Sequence, residues 1–116
     1  SSVAECAVIG INDALKGQIP LALVVVKLND EIEHYQLQQE TIKLVRQQIG
    51  AVASLQNVVI VDRLPKTRSG KILRKLMRSI ADGESFLVPS TIDDENIVDE
   101  IAGVLKKYNI GIYTIK

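Results

Sequence analysis

The alternation of apolar and polar positions divides the chain into six elements. Val3 to Ile9 is a short, partly β-branched apolar run closed by Gly10 and Asn12-Asp13, which predicts a buried strand followed by a loop to about Pro20. Leu21 to Val26 is continuously apolar and ends at Asn29-Asp30, the pattern of a central strand covered on both faces. The two strands can form an antiparallel pair. From about Tyr35 to Ile49, the residues Leu37, Ile42, Leu44, Val45 and Ile49 recur at helical spacing among polar ones, and Gly50 supplies a stop. Val58 to Val61 are four β-branched residues and predict a third strand, after which the polar stretch Asp62 to Gly70 reads as a surface loop.

A second helix follows. Ile72, Leu73, Leu76, Met77 and Ile80 share one helical face, Lys71, Arg74, Lys75 and Arg78 share another, and Gly83 ends the run. A last helix over about Glu95 to Tyr108 buries Ile97, Ile101, Val104 and Leu105, with Asp93-Asp94-Glu95 placed to favour the positive end of its dipole. The order β-β-α-β-α-α predicts a small α+β domain, a three-stranded sheet flanked by helices.

Composition limits what this domain can do. With 116 residues, 47% of them hydrophobic, the chain has enough material for one core but not two. Fourteen basic residues balance fourteen acidic ones, so net charge gives no general attraction to nucleic acid or membrane. The single cysteine, Cys6, lies in an apolar run and reads as a buried small hydrophobe in a reducing compartment. No apolar run approaches the ~18 residues of a membrane span and no signal peptide opens the chain, which predicts a soluble, intracellular protein. Ser1-Ser2-Val3-Ala4 runs almost directly into a strand, as expected for a piece cut from something larger.

The neutral total conceals a polar molecule. Arg63 to Arg78 carries seven basic residues and no acidic one, whereas Ser79 to Glu100 carries seven acidic residues and no basic one. Such blocks can simply pair at the surface for ~0–1 kcal/mol each. The loop Leu64-Pro65-Lys66-Thr67-Arg68-Ser69-Gly70-Lys71 says more, because Pro65 fixes one backbone angle and Gly70 permits unusual ones just before a helix. A lysine at a helix N-terminus opposes the dipole, so Lys71 is expected to meet an anionic ligand. This is no phosphate-cradling P-loop: Pro65 stands where that motif needs glycine, and Ile72 where it needs Ser or Thr. His34, the only histidine, has no metal-ligand partners at suitable spacing, so no metal site is expected. Neither His34 nor Cys6 belongs to a nucleophile set, which argues against a hydrolase.

The run Leu64-Pro65-Lys66-Thr67-Arg68-Ser69-Gly70-Lys71-Ile72-Leu73-Arg74 resembles the C-terminal signature of AMP-forming acyl-CoA synthetases, in the adenylate-forming superfamily, of the acetyl-/propionyl-CoA synthetase type. Val3 to Gly10 is similar to that family's strand after the interdomain hinge, and Val45 to Gly50 to its following helix. Pro89-Ser90-Thr91-Ile92-Asp93-Asp94 looks more like propionyl- than acetyl-CoA synthetases. The resemblance implies that residues 1–116 are the C-terminal lid domain of a two-domain ligase whose large N-terminal domain, hinge and acyl pocket lie elsewhere. It implies ATP, Mg2+ and coenzyme A as ligands of the full-length enzyme, and an isolated lid without activity. Lys71 would be catalytic, holding carboxylate and α-phosphate oxygens during acyl-AMP formation, and would be a target of reversible acylation by a lysine acetyltransferase and deacylase. Arg46 would contact coenzyme A phosphates, and Pro65, Lys66, Thr67, Arg68, Ser69 and Gly70 would form the signature loop. The location would be the cytoplasm, or the mitochondrial matrix in a eukaryote.

A different class competes: a free-standing basic module binding phosphates or nucleic acid through Arg63 to Arg78. Aromatic residues are only 3% of the chain and the adjoining acidic block repels a polyanion, so no nucleic-acid partner is expected.

Overall fold

A computed structural model describes residues 3–15, 17–27, 33–48, 55 and 57–114, excepting the side chains of His34 and Gln48. The turn signal Asn29-Asp30, the helix residue Ile49, the stop Gly50 and the opening Ser1-Ser2 lie outside the described residues, as does the His34 side chain.

The sheet has three strands in the order β1-β2-β3. β1 (Val3–Asp13) and β2 (Gly17–Val26) pair antiparallel from Val3↔Val26 to Asp13↔Gly17, and β3 (Asn57–Ile60) pairs parallel to β2 over Leu21–Val24. Leu21, Ala22, Leu23 and Val24 are fully buried because β2 has a strand on each side and helices over both faces. The expected loop from Gly10 to Pro20 is a correction: residues 10–13 and 17–20 extend the two strands, with Gly10 opposite Pro20 and Ile11 opposite Ile19. Polar Asn12 and Asp13 are tolerated because β1 is an edge strand, and the Asn12 N–H donates to Asp82 Oδ1 at 2.8 Å. Pro20 lies one residue beyond the pairing of β2 with β3, which ends at Leu21↔Asn57 among the described residues.

Period-two alternation sorts the strands between two cores. Ala7, Ile9, Ile11, Leu21, Leu23 and Val59 face α2 (Arg74–Asp82) and α3 (Ile97–Lys107). Val3, Ala22, Val24 and Val58 pack with Leu37 and Val45 of α1 (His34–Gln48) on the other face. Val3 reaches that second face because the register shifts between Val3 and Glu5, inverting the alternation. Cys6 is half-buried beside this second core; burial pushes its thiol pKa up, partly opposed by the Arg74 charge.

α1 begins about where predicted, at His34, whereas α2 and α3 keep their predicted faces but begin later. α2 starts at Arg74, not at Lys71, and closes on Gly83 at φ 69°, whose N–H bonds to Ile80 and Ser79 carbonyls. Its first turn holds no acid; instead Arg74 and Lys75 stand against the dipole. α3 starts at Ile97, so its first-turn acids are Asp99 and Glu100, while Asp94 of the expected dipole cluster turns to Arg63. After α3, Gly111 at φ 64° brings the chain so close that a Cβ there would lie 2.2 Å from the Ala81 carbonyl oxygen.

Candidate functional site

The chemistry-bearing loop leaves β3 and is fixed from below by burial. Val61 donates its N–H to the Val24 carbonyl at 2.9 Å, and Leu64 and Pro65 then enter the core shared with α2 and α3. From that anchor residues 65–73 form a small hairpin: Lys66 bridges Ile72, the Thr67 N–H donates to the Lys71 carbonyl and the Leu73 N–H to the Pro65 carbonyl, each at 2.9 Å. The turn is Thr67-Arg68-Ser69-Gly70, closed by the Gly70 N–H on the Thr67 carbonyl at 2.9 Å, with Gly70 at φ 94°. Thr67 Oγ1 accepts the Lys71 N–H at 3.1 Å and lies 2.9 Å from Ser69 Oγ.

A second segment braces the hairpin's other edge. Thr67 bridges Ile92, the Arg68 N–H donates to the Thr91 carbonyl and the Asp93 N–H to the Lys66 carbonyl, both at 2.9 Å. Arg68 Nη2 reaches the Ser90 carbonyl at 3.3 Å. The backbone N–H groups of Thr67, Arg68, Gly70 and Lys71 are therefore all consumed inside the protein. A phosphate cradle needs such groups free and pointing outward. With the amides of Thr67, Arg68, Gly70 and Lys71 taken up, Lys71 stands on the arm of a hairpin rather than at a helix N-terminus and presents its side chain at the surface.

Ion pairs sort the basic block. Arg63 binds Glu100 through Nε at 3.1 Å and Nη2, and Asp94 at 2.9 Å, so its positive charge is neutralised. The backbone N–H of Asn96 and the Arg63 guanidinium hold the Asp94 carboxyl below its usual range, and Arg63 does the same for Glu100. Lys66 pairs with Glu5 of β1 and is unavailable to a ligand. Lys71 is exposed, and among the described residues its ammonium has no hydrogen-bond or ion-pair partner. The loop thus spends its inner cations on rigidity and leaves Lys71 at the surface.

Arg46 lies exposed in the last turn of α1, where a cation also suits the helix dipole. Because α1 covers one face of the sheet while the hairpin is anchored in the core of the other, the structure does not bring Arg46 and Lys71 together. The opposed charge blocks predict pairing at the surface, and the structure realises it between Arg63 and the acids Asp94 and Glu100; the backbone brace from Pro89 to Asp93 has no such signal in the sequence. Among the described residues no three His, Cys, Asp or Glu side chains are grouped to hold a metal, and no helix is long and apolar enough to cross a membrane.

Comparison with known proteins agrees with this architecture. The family model of the AMP-binding enzyme C-terminal domain matches residues 1–71. An uncharacterized protein of Pseudomonas aeruginosa is 58% identical over 110 residues, 95% of this chain and 18% of its own length. Acyl-CoA synthetase short-chain family member B, mitochondrial, of Dictyostelium discoideum is 46% identical over 109 residues, 94% of this chain and 16% of that protein. The fold alone matches the acetoacetyl-CoA synthetase of Streptomyces lividans, with TM-score 0.70 and 16% identity over 92% of this chain and 16% of that one. The chain thus spans less than a fifth of the length of these proteins. A family model over more than half the chain, together with the α+β architecture around the hairpin, places this chain in the AMP-binding enzyme C-terminal domain family.

Proposed function

We propose that the chain is the C-terminal lid of an AMP-forming acid–thiol ligase acting on a short-chain carboxylate, with propionate favoured and acetate next. In the first step a carboxylate oxygen attacks the α-phosphorus of Mg-ATP, the bond to the bridging oxygen breaks and pyrophosphate leaves. In the second, the sulfur of coenzyme A attacks the acyl carbon, AMP departs and the thiol proton is released. The observation that carries this reading is the exposed ammonium of Lys71, without a partner among the described residues, on a hairpin that takes up the amides of Thr67, Arg68, Gly70 and Lys71 internally and pairs Lys66 with Glu5. Such a cation holds attacking carboxylate and α-phosphate oxygens in line and offsets the charge of the transition state.

The ATP phosphates and acyl pocket belong, on this reading, to a large N-terminal domain of the same polypeptide. Arg46, on the opposite face of the sheet, serves the phosphates of coenzyme A after the lid turns. The same exposure makes Lys71 the residue for a lysine acetyltransferase and a deacylase, since acylation removes the charge that the first step requires. The mitochondrial relative supports a matrix location in a eukaryote, and the cytoplasm is proposed otherwise.

Pyrophosphate release by the full-length protein, assayed with acetate, propionate and butyrate, tests the reaction and its acyl preference together. Carboxylate-dependent release with propionate fastest is expected. No carboxylate-dependent release with any of the three would overturn the ligase reading, and faster release with acetate or butyrate would overturn the propionate preference.

A further inference from the structure

The backbone of Lys71 is held on both sides by one neighbour. Facing residues of a hydrogen-bonded antiparallel pair exchange two backbone bonds, N–H to C=O in each direction. Thr67 and Lys71 complete only the first: the Thr67 N–H donates to the Lys71 carbonyl at 2.9 Å, whereas the Thr67 carbonyl is turned to the Gly70 N–H, also at 2.9 Å. Gly70, at φ 94°, is the extra residue of a bulge that carries the Lys71 N–H past its backbone acceptor. A side chain takes that acceptor's place, since Thr67 Oγ1 accepts the Lys71 N–H at 3.1 Å.

The hydroxyl is itself fixed. Oγ1 shares a second hydrogen bond with Ser69 Oγ at 2.9 Å, Thr67 bridges Ile92 of the brace, and a β-branched Cβ leaves few rotamers to choose from. Lys71, in contrast, is exposed. Water can take its N–H once the hydroxyl is removed, so little stability rests on this bond. Direction does rest on it, because the ammonium stands at the end of a flexible four-carbon stem and a small turn of the peptide displaces it by more.

Resting on the proposed ligase reading, we infer that Thr67 is the positioning residue for Lys71 in adenylate formation, its hydroxyl standing in for a backbone acceptor and setting the point from which the ammonium is presented. In this role Thr67 acts through Lys71 and needs to touch neither ATP nor carboxylate. Thioester formation, which on that reading does not use Lys71, does not depend on the hydroxyl. Valine at this position keeps the branched shape and loses the acceptor; serine keeps the acceptor and loses the branch.

The test compares, in the full-length protein, wild type with Thr67→Val and Thr67→Ser with Thr67→Ala, two pairs that each change the hydroxyl and leave the branching alone; melting temperatures verify folding, and either pair suffices. In carboxylate-dependent pyrophosphate–ATP exchange, loss of the hydroxyl is expected to lower kcat roughly tenfold, with KM for ATP and carboxylate within about twofold, while Thr67→Ser stays near wild type. Thioester formation from supplied acyl-adenylate should stay within about twofold. In a Lys71→Ala background Thr67→Val should cost nothing further, because its effect runs through the lysine. Full exchange activity in Thr67→Val and no gap between Thr67→Ser and Thr67→Ala, beside a dead Lys71→Ala, would overturn the positioning inference and leave the ligase reading intact. So would an equal loss of both half-reactions in Thr67→Val, or a loss that persists without Lys71. Full exchange activity in Lys71→Ala would instead overturn the ligase reading itself.

Discussion

Gly70 decides the direction in which Lys71 leaves the turn. At φ 94° it occupies a region that side chains with a Cβ rarely enter, yet no atom lies within 4 Å of where that Cβ would be. A substitution here meets backbone strain and no clash. Gly70→Ala is expected to destabilise the protein by about 1–2 kcal/mol in urea unfolding, and to slow adenylate formation by more than that loss explains, because the hairpin relaxes and Lys71 moves. Unchanged stability and rate would mean that the turn's geometry is irrelevant. The contrast with Gly111 is instructive: its added Cβ would strike the Ala81 carbonyl, so there strain and clash combine.

At the scale of elements, the hairpin depends on what lies around it. Arg63, Asp94 and Glu100 tie the loop's entry to the start of α3. Both carboxyls have their pKa lowered by folding, so the stability they supply is complete above the ordinary carboxylate range and is lost as pH falls through their depressed values. Thermal melting of wild type and Arg63→Gln between pH 7 and pH 3 should therefore show a gap that is widest at neutral pH and narrows in acid. A gap independent of pH would show that the pairing contributes nothing to the difference. Periodicity made the strands and helices legible in the sequence wherever one face was apolar, as at Leu76, Met77 and Ile80. It failed at Gly10 to Pro20, because an edge strand accepts polar residues and its pairing is set by a partner far along the chain. It also ran α2 back to Lys71, since Ile72 and Leu73 keep the apolar spacing even though they pack from the arm of a hairpin. The signature residues of the loop were legible as a group. Their division of labour was not, because Glu5, which takes up Lys66, is 61 residues away in the chain.

For the whole molecule, the sheet acts as a partition. One face carries α2, α3 and the Lys71 hairpin; the other carries α1 with Arg46. A lid that served both half-reactions would need two such faces, each offering a different cation to a different anion, and rotation would choose between them. The composition, neutral overall, could not reveal this division, since opposed charges cancel in the sum. The direct measurement is the pair of half-reactions in the full-length protein carrying Lys71→Ala or Arg46→Ala. The account predicts that Lys71→Ala lowers carboxylate-dependent pyrophosphate–ATP exchange by at least about a hundredfold, on the scale of a lost electrostatic catalytic group, while leaving thioester formation from supplied propionyl-adenylate nearly unchanged. Arg46→Ala should spare exchange and raise the coenzyme A concentration needed for half-maximal thioester formation. Exchange at the wild-type rate in Lys71→Ala, or equal loss of both half-reactions in that variant, would contradict it.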